Sequence, residues 1–375
     1  MQTTVSSNQQ GLDAVLIERL NKRIEHGAPN AQAALTRLMN EAVIARDFLE
    51  PIGVSVKNSG EEPRVTFNAN GHVHLLMGGE AFTLANHAVG QVAEKLRIPT
   101  RYLRDLSNGN EWERKLAARI LNEHSGWTDR KRMLIRAVGN EVRGVLSDSY
   151  KPMDSEILVK SFTEAAYAKG AQLVDGHMSD TKIFLEALMP QPIAVPTVNN
   201  GVAQMAFGIR FSTSDYGDGL LRVDSFMMRG VCLNGMVSES HIKKLHLGSR
   251  MPENFLFSKE TYMYNAQANA SAINDAVQYI LSPENIREKA EQIQRASHLE
   301  IDAPSELRRV GAKKFSKEEF GEIEKVLING DPADGLSGKS TMWKLINGIT
   351  AYSRDIDPIR SRELQSIAGG LLATV

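Results

Sequence analysis

Cysteine is nearly absent from this chain: one residue in 375, Cys232, leaves no internal disulfide and no cysteine cluster of the kind that holds structural zinc. A reducing, cytoplasmic setting is therefore expected. Aromatic residues amount to only 6%, and no window approaches the roughly 18 consecutive apolar residues that a membrane span needs. The polar opening from Met1 to Gln10 also has no basic-then-apolar leader pattern, so no membrane role is expected. An excess of charge of either sign is missing too, with 44 Lys+Arg against 45 Asp+Glu and a net charge of -1. A polyanionic partner would have to be met by a local basic surface, not by the global field. What the chain does have is 42% hydrophobic and 24% charged residues, which excludes general disorder and supports two or three packed units.

The polar tail 1–11 offers nothing to bury and reads as disordered. Helical spacing follows over 12–26 and 31–48, divided at Gly27 and Pro29, which predicts an antiparallel pair. Short strands are predicted at 54–56, 64–67 and 72–77, the last two joined by Asn70-Gly71, a strong hairpin signal. Helices are expected over 82–96, 101–106 and 112–124. The pattern then alternates over 133–146 around Gly139-Asn140, a second hairpin, and Asp154 or Ser155 caps a helix through Ala168. Strands are expected at 182–188, 204–211 and 220–231, with 190–201 as a loop and 215–219 as a turn. Beyond Asn265 everything reads helical, with Ser282-Pro283 and Ser316 to Glu319 as helix starts. The expected fold is α+β: a central antiparallel sheet with helices on one face and helical N- and C-terminal regions. Its expected divisions are 1–11, 12–128, 129–260 and 261–375.

Few motifs survive inspection of their spacing. Gly335 to Ser340 resembles a phosphate loop, but Ala333 occupies a required glycine position and a helical pattern precedes it, so it reads as a helix cap and no cofactor is expected. Cys232, His241 and His246 do not share a helix face, and His72 and His74 lack a third ligand, so no metal is expected. Asp215, Asp218 and Asp224 surround a turn where aspartate is first a turn residue, although a magnesium site is the alternative. No nucleophile elbow is present, and an enzyme is not expected. Over 91–106, Ala93, Ile98, Leu103 and Leu106 fall on the apolar positions of a helix-turn-helix, with Arg97 at the usual turn glycine and Arg101 and Arg104 placed for phosphates. Two ordinary packed helices give the same spacing and do so more often.

The Gly139-Asn140 hairpin is more informative. A two-residue loop sets Val138 opposite Glu141 and Arg136 opposite Arg143, with Met133, Ile135, Ala137, Val142, Gly144 and Leu146 on one apolar face. Like charges directly opposed destabilise a sheet unless an anion or carboxylate lies between them. Two readings follow: a solvated face with local ion pairing to Glu141, or an anion-binding face fed by Arg130, Lys131 and Arg132. A second basic cluster, Arg222, Arg229, Lys243 and Lys244, favours the latter, with Tyr150 as a stacking partner for a base.

Three segments, Val145-Leu-Ser-Asp-Ser-Tyr-Lys-Pro-Met153, Met228-Arg-Gly-Val-Cys-Leu-Asn-Gly-Met236 and Thr341-Met-Trp-Lys-Leu-Ile-Asn-Gly-Ile-Thr-Ala-Tyr352, resemble in order the phage/plasmid-like domain-of-unknown-function family of bacteriophages and mobile elements. That family carries no established catalytic residues. The resemblance implies a mobile-element context, in DNA replication, recombination or host takeover, and the architecture is also similar to phage single-strand annealing proteins, which form rings on DNA. The expectation is a homo-oligomeric protein that binds single-stranded DNA through Lys131, Arg132, Arg136, Arg143, Tyr150, Arg222, Arg229, Lys243 and Lys244. The alternative is a protein-interaction module that contacts a host or phage protein.

Overall fold

The computed structural model describes residues 7–53, 64–129, 132–148, 150–151, 153–199, 201–229, 234–244, 258–311, 314–329, 338–353 and 356–375. The predicted strand 54–56 lies outside them. The class is α+β, as expected, but the single central sheet is two mostly antiparallel ones.

The chain opens with one helix, α1 (Ser7–Ile44), where a broken pair was predicted. Gly27 marks close approach and not a break, because a Cβ there would lie 1.6 Å from the Val174 carbonyl oxygen. Pro29 costs the helix one ladder hydrogen bond, and burial of Leu20, Ala31, Ala34 and Leu38 holds it together regardless. The helix also begins at Ser7, inside the expected tail. From Ala45 to Pro51 the chain becomes β1, not the last turns of a helix, since pairing with a neighbouring strand overrides local propensity.

Sheet one contains β1, β2 (Val65–Asn70), β3 (His72–Met77), β4 (Glu80–Leu84), β5 (Arg132–Val138) and β6 (Glu141–Ser147), in the order β1-β5-β6-β4-β3-β2. Among the described residues only β4 and β6 run parallel. The two predicted hairpins, β2–β3 and β5–β6, are both present, and residues 82–84, where helix was expected, belong to a strand that starts at Glu80. The second hairpin joins the N-terminal strands in sheet one. Helices α2 (Asn86–Lys95), α3 (Thr100–Ser107) and α4 (Glu111–Trp127) cover one face, burying Leu75, Phe82, Val92, Leu103, Leu121 and Ile135 together. Asn122 of α4 exchanges two 2.7 Å hydrogen bonds with the Phe67 backbone and locks the layer.

Sheet two holds β7 (Gln172–Met178), β8 (Ile183–Leu188), β9 (Ile193–Thr197), β10 (Gly201–Thr213), β11 (Leu221–Arg229) and β12 (Asn234–Lys244). Its order is β12-β11-β10-β8-β7, with β9 beside the first half of β10. One expectation changes, since part of 190–201 is strand, and 234–244 adds an edge strand that was not predicted. Helices α5 (Ser155–Ala168) and α6 (Lys259–Ile280) pack Phe162 and Ile273 against Leu185 and Phe211. The C-terminal helices α7 (Pro283–His298), α8 (Ala303–Gly311), α9 (Lys317–Asn329), α10 (Met342–Tyr352) and α11 (Pro358–Leu372) form a further core around Trp343 with Met205, Phe207 and Met227. The predicted helix starts hold: Ser282 accepts from the Asn285 N–H, and Ser316 and Glu319 form a reciprocal capping box. Among the described residues no helix is long and apolar enough to cross a membrane.

Candidate functional site

The hairpin arginines define the first region to test. The predicted register places Arg136 opposite Arg143, but the strands contain a β-bulge: Arg136 pairs with Gly144 and Ala137 with Val142, leaving Arg143 as the extra residue. A single inserted residue exchanges the faces of everything beyond it. Val145, not Gly144 or Leu146, therefore joins Met133, Ile135, Ala137 and Val142 in the helix-covered core. Leu146 turns to the other face with Leu134 and Tyr150, and Gly144 faces Tyr216, where a Cβ would crowd it at 3.3 Å.

That other face is buried between the two sheets. Arg136 is 7% exposed; its Nε donates to Asp47 at 2.7 Å and its Nη1 to the Asp215 carbonyl at 2.9 Å. Burial works against its charge, but Asp47 and Asp215 outweigh it and hold the guanidinium protonated above its usual range. Arg143, 8% exposed, donates to Glu41 of α1 and, at 3.0 Å, to Glu141. The same balance of burial against carboxylates raises its pKa. The carboxylates required to relieve the arginines are thus supplied from within the fold. Tyr150 is buried as well, with its hydroxyl donating to the Ser214 carbonyl at 3.2 Å. Burial and then the Asp215 charge raise its pKa.

The remaining predicted contacts are scattered. Lys131 lies outside the described residues. Arg132 begins β5, opposite Pro51. Arg222 pairs with Asp224 at 3.1 Å. Arg229, 2% exposed, donates to Asn347 of α10 at 3.0 Å, which joins two of the three family-like segments as core. Lys243 and Lys244 lie on β12, in register with Arg222 and Leu221, and their side chains lie outside the described set. One continuous basic face from hairpin to β12 is not formed by the described side chains: Arg136, Arg143 and Arg229 are interior.

Asp215, Asp218 and Asp224 are also held apart by separate partners. Asp218 accepts from Thr181 at 2.6 Å and pairs with Lys182 at 3.2 Å, while Asp215 accepts from the Ser155 N–H at 3.3 Å. Among the described residues no three His, Cys, Asp or Glu side chains converge on a metal position. Cys232 and His246, and the side chain of His241, lie outside the described set, as do residues 335–337 of the phosphate-loop segment; Lys339 within it pairs with Glu300.

The helix-turn-helix spacing has a different outcome. Helix α2 ends in a Schellman turn, with the Ile98 N–H bonded to the Ala93 carbonyl at 2.8 Å and the Arg97 N–H to the Glu94 carbonyl at 3.2 Å. Arg97 takes φ 58°, and among the described residues it is the one non-glycine with positive φ. The residue that stands at the turn-glycine position therefore adopts the turn-glycine conformation. Val92, Ala93, Leu96, Ile98, Leu103 and Leu106 are all buried. The outer surface of α3 presents Arg101, with its side chain 96% exposed, together with Tyr102, Arg104 and Asp105. From Lys95 to Arg119 the chain carries seven basic residues against three acidic ones, a local excess in a protein of net charge -1. Trp112, 68% exposed at the start of α4, lies within the same stretch.

The pair is anchored to the inter-sheet region. His87 and Gln91 of α2 both bond the Tyr216 carbonyl, at 3.0 and 2.7 Å, and Gln91 Oε1 accepts from the Val145 N–H at 2.7 Å. No family model, no curated protein and no solved structure matches the chain.

Proposed function

We propose that this chain is a cytoplasmic, mobile-element DNA-binding protein that holds duplex DNA with the α2–α3 pair. The observation that carries the reading is the Schellman turn at Arg97, which fixes α3 so that Arg101, Tyr102 and Arg104 face outward while its apolar residues are buried. A short helix anchored this way and flanked by positive charge fits the major groove, with arginines serving phosphates or guanine edges. A single strand bound at the hairpin is less well supported, since Arg136 and Arg143 would have to abandon Asp47 and Glu41 to reach a phosphate. Homo-oligomerisation belongs to the same proposal, because helix-turn-helix proteins read paired half-sites as dimers.

Fluorescence anisotropy with a labelled mixed-sequence duplex and with one of its strands tests this reading. The duplex is expected to bind more tightly and to lose affinity steeply with salt. The double variant Arg101→Glu/Arg104→Glu is expected to weaken duplex binding about tenfold or more at little changed Tm, since Arg101 projects into solvent and Arg104 gives up one exposed 3.3 Å hydrogen bond to the Asn86 carbonyl. Absence of binding at low salt, or an unaffected double variant, sinks the proposal. A second reading, a protein-interaction module, is favoured by Tyr264 and Tyr279 on α6 and Ile328 on α9, which stand 65%, 54% and 69% exposed. A mass measurement with and without DNA reports dimerisation and binding together.

A further inference from the structure

A groove of about 1020 Å³, at the upper end of small-molecule sites, crosses the face of sheet two turned away from α5 and α6. Ile183, Leu185, Phe211 and Val223 pack towards those helices, so the alternate residues of the same strands face the groove. Gly176 admits α1 to direct contact with β7, since a Cβ there would lie 2.4 Å from the Ala31 Cα, and this makes Ala33, Ala34 and Arg37 one wall. Arg362 and Ser366 of α11 make the other. Across the floor runs one register row: His177 of β7 opposite Phe184 of β8, Phe184 opposite Ser212 of β10, and Ser212 opposite Arg222 of β11. Lys243 of β12 is the next position in that row.

Arg362 is the decisive lining group. Its guanidinium is half-buried 4.1 Å over the Phe184 ring, and among the described residues it forms no hydrogen bond and no salt bridge. The ring holds the cation in place without neutralising it. The acids that line the groove are taken elsewhere: Asp218 by Lys182 and Thr181, Glu363 by Arg360, and Asp175 by the Gly176 N–H. The carboxylate beneath, Glu186, is shared by Arg210 at 2.6 Å and Arg23 at 3.3 Å. Burial works to raise its pKa, but Arg210, Arg23 and Arg362 outweigh that and hold it below the usual carboxylate range. Three guanidiniums thus act on one carboxylate, and the one that faces the groove keeps its N–H donors unspent. Arg37, Lys182 and Arg222 line the same groove and, beside their own carboxylates, keep 37%, 35% and 36% of their side chains exposed. A carboxylate ligand is satisfied by one guanidinium fork, whereas a phosphate has three oxygens and a second charge with which to engage these neighbours as well. Ala33, Ala34 and Met178 beside Asn30 and Ser179 supply apolar and hydrogen-bonding surface for an attached organic group.

We propose that the groove between α1 and α11 binds a small phosphate monoester, with the phosphate on Arg362 above Phe184 and the organic group along α1. The ligand supplies the anion that Arg362 lacks and offsets the surplus of guanidinium around Glu186. This site lies on sheet two, separate from the outer face of α3, so the proposal does not depend on DNA binding.

Isothermal titration calorimetry on the full chain with adenosine monophosphate, inorganic phosphate and adenosine tests it. One adenosine monophosphate per chain is expected to bind with Kd of about 1 mM or tighter, inorganic phosphate to bind more weakly and compete with it, and adenosine not to bind. Arg362→Gln is expected to weaken adenosine monophosphate binding about tenfold, because a charge-assisted contact is lost while Glu186 keeps Arg210 and Arg23. Ser366→Asp, exposed one turn along the same wall, keeps the test available should Arg362→Gln not fold, and is expected to weaken binding severalfold by repulsion. The Arg101→Glu/Arg104→Glu variant is expected to bind adenosine monophosphate as the parent does, which separates failure of this proposal from failure of the DNA reading. Absence of saturable binding, indifference to both groove variants, adenosine binding as tightly as its monophosphate, or an Arg362→Gln defect confined to duplex DNA overturns the phosphate site.

Discussion

Arg136 and Arg143 on the β5–β6 hairpin, and Arg101 and Arg104 on α3, are the same residue type in opposite circumstances. The first two are less than a tenth exposed and are held by Asp47, Glu41 and Glu141; Arg101 projects almost wholly into solvent, its nearest acid being Asp105 at 4.0 Å. A guanidinium in the interior is a structural element whose charge belongs to its partners. A guanidinium on an ordered helix with no tight partner is available to something outside the protein. Local charge density in the sequence does not distinguish the two, but burial does.

The sharpest way to break this contrast is to remove one arginine from each region. Arg136→Ala leaves Asp47 and the buried Asp215 without their cation, and the expected cost is about 3–5 kcal/mol. Arg101→Ala is expected to stay within about 0.5 kcal/mol of the parent, since it gives up only a long, exposed contact. Urea unfolding of both variants measures the difference. A cost below about 1 kcal/mol for Arg136→Ala would show that the hairpin arginine is not structurally committed and would reopen it as a ligand contact.

Acidity provides a second, smaller test. Burial pushes Asp215 up to about 6, against the opposing pull of Arg136 and the Ser155 N–H. The folded state therefore holds a proton that the unfolded chain releases near pH 4, so this group lowers stability as pH rises from about 4 to about 6 and leaves it low above that window. Asp215→Asn keeps an oxygen for the Ser155 N–H but carries no charge. It is expected to abolish that component of the pH dependence and to be more stable than the parent at pH 7 by up to roughly 3 kcal/mol. Matching melting curves of Asp215→Asn and the parent from pH 4 to 7 would mean that water or Arg136 fully satisfies the carboxylate.

Much of the local structure was legible. Asn70-Gly71 and Gly139-Asn140 mark real hairpins, Ser282 and Ser316 real helix starts, and the spacing over 91–106 a real pair of packed helices joined by a tight turn. What was not legible depends on distant contacts. The continuity of α1 through Pro29 is held by packing on β7, the strand character of 45–51 by pairing with β5, and the fate of Arg143 by Glu41, 102 positions away. The bulge was invisible for a related reason: Gly144 and Val145 alternate acceptably in either register, and only the core that receives Val145 selects one. The same limit concealed the groove, whose bases come from α1, the turn before β8, β11 and α11.

The smallest predicted effect lies at Arg97, and it bears on why an arginine occupies that position. An L-residue in the left-handed region costs roughly 1–2 kcal/mol, which glycine does not incur. Glycine in turn gains unfolded-state freedom worth about 0.4–1 kcal/mol. The ion pair of Arg97 with Asp129, 3.3 Å apart and with both side chains about four-fifths exposed, contributes little. Arg97→Gly is therefore expected to stabilise the protein by about 0.5 kcal/mol, and Arg97→Ala to give no gain, because alanine keeps the strain. If α2–α3 holds DNA, Arg97→Gly is also expected to weaken duplex binding and to reduce the salt slope by about one unit, the signature of one lost phosphate contact. A more stable protein that binds less well would identify the strained arginine as part of the DNA surface; a more stable protein that binds equally well would remove Arg97 from that surface and leave contact to Arg101 and Arg104.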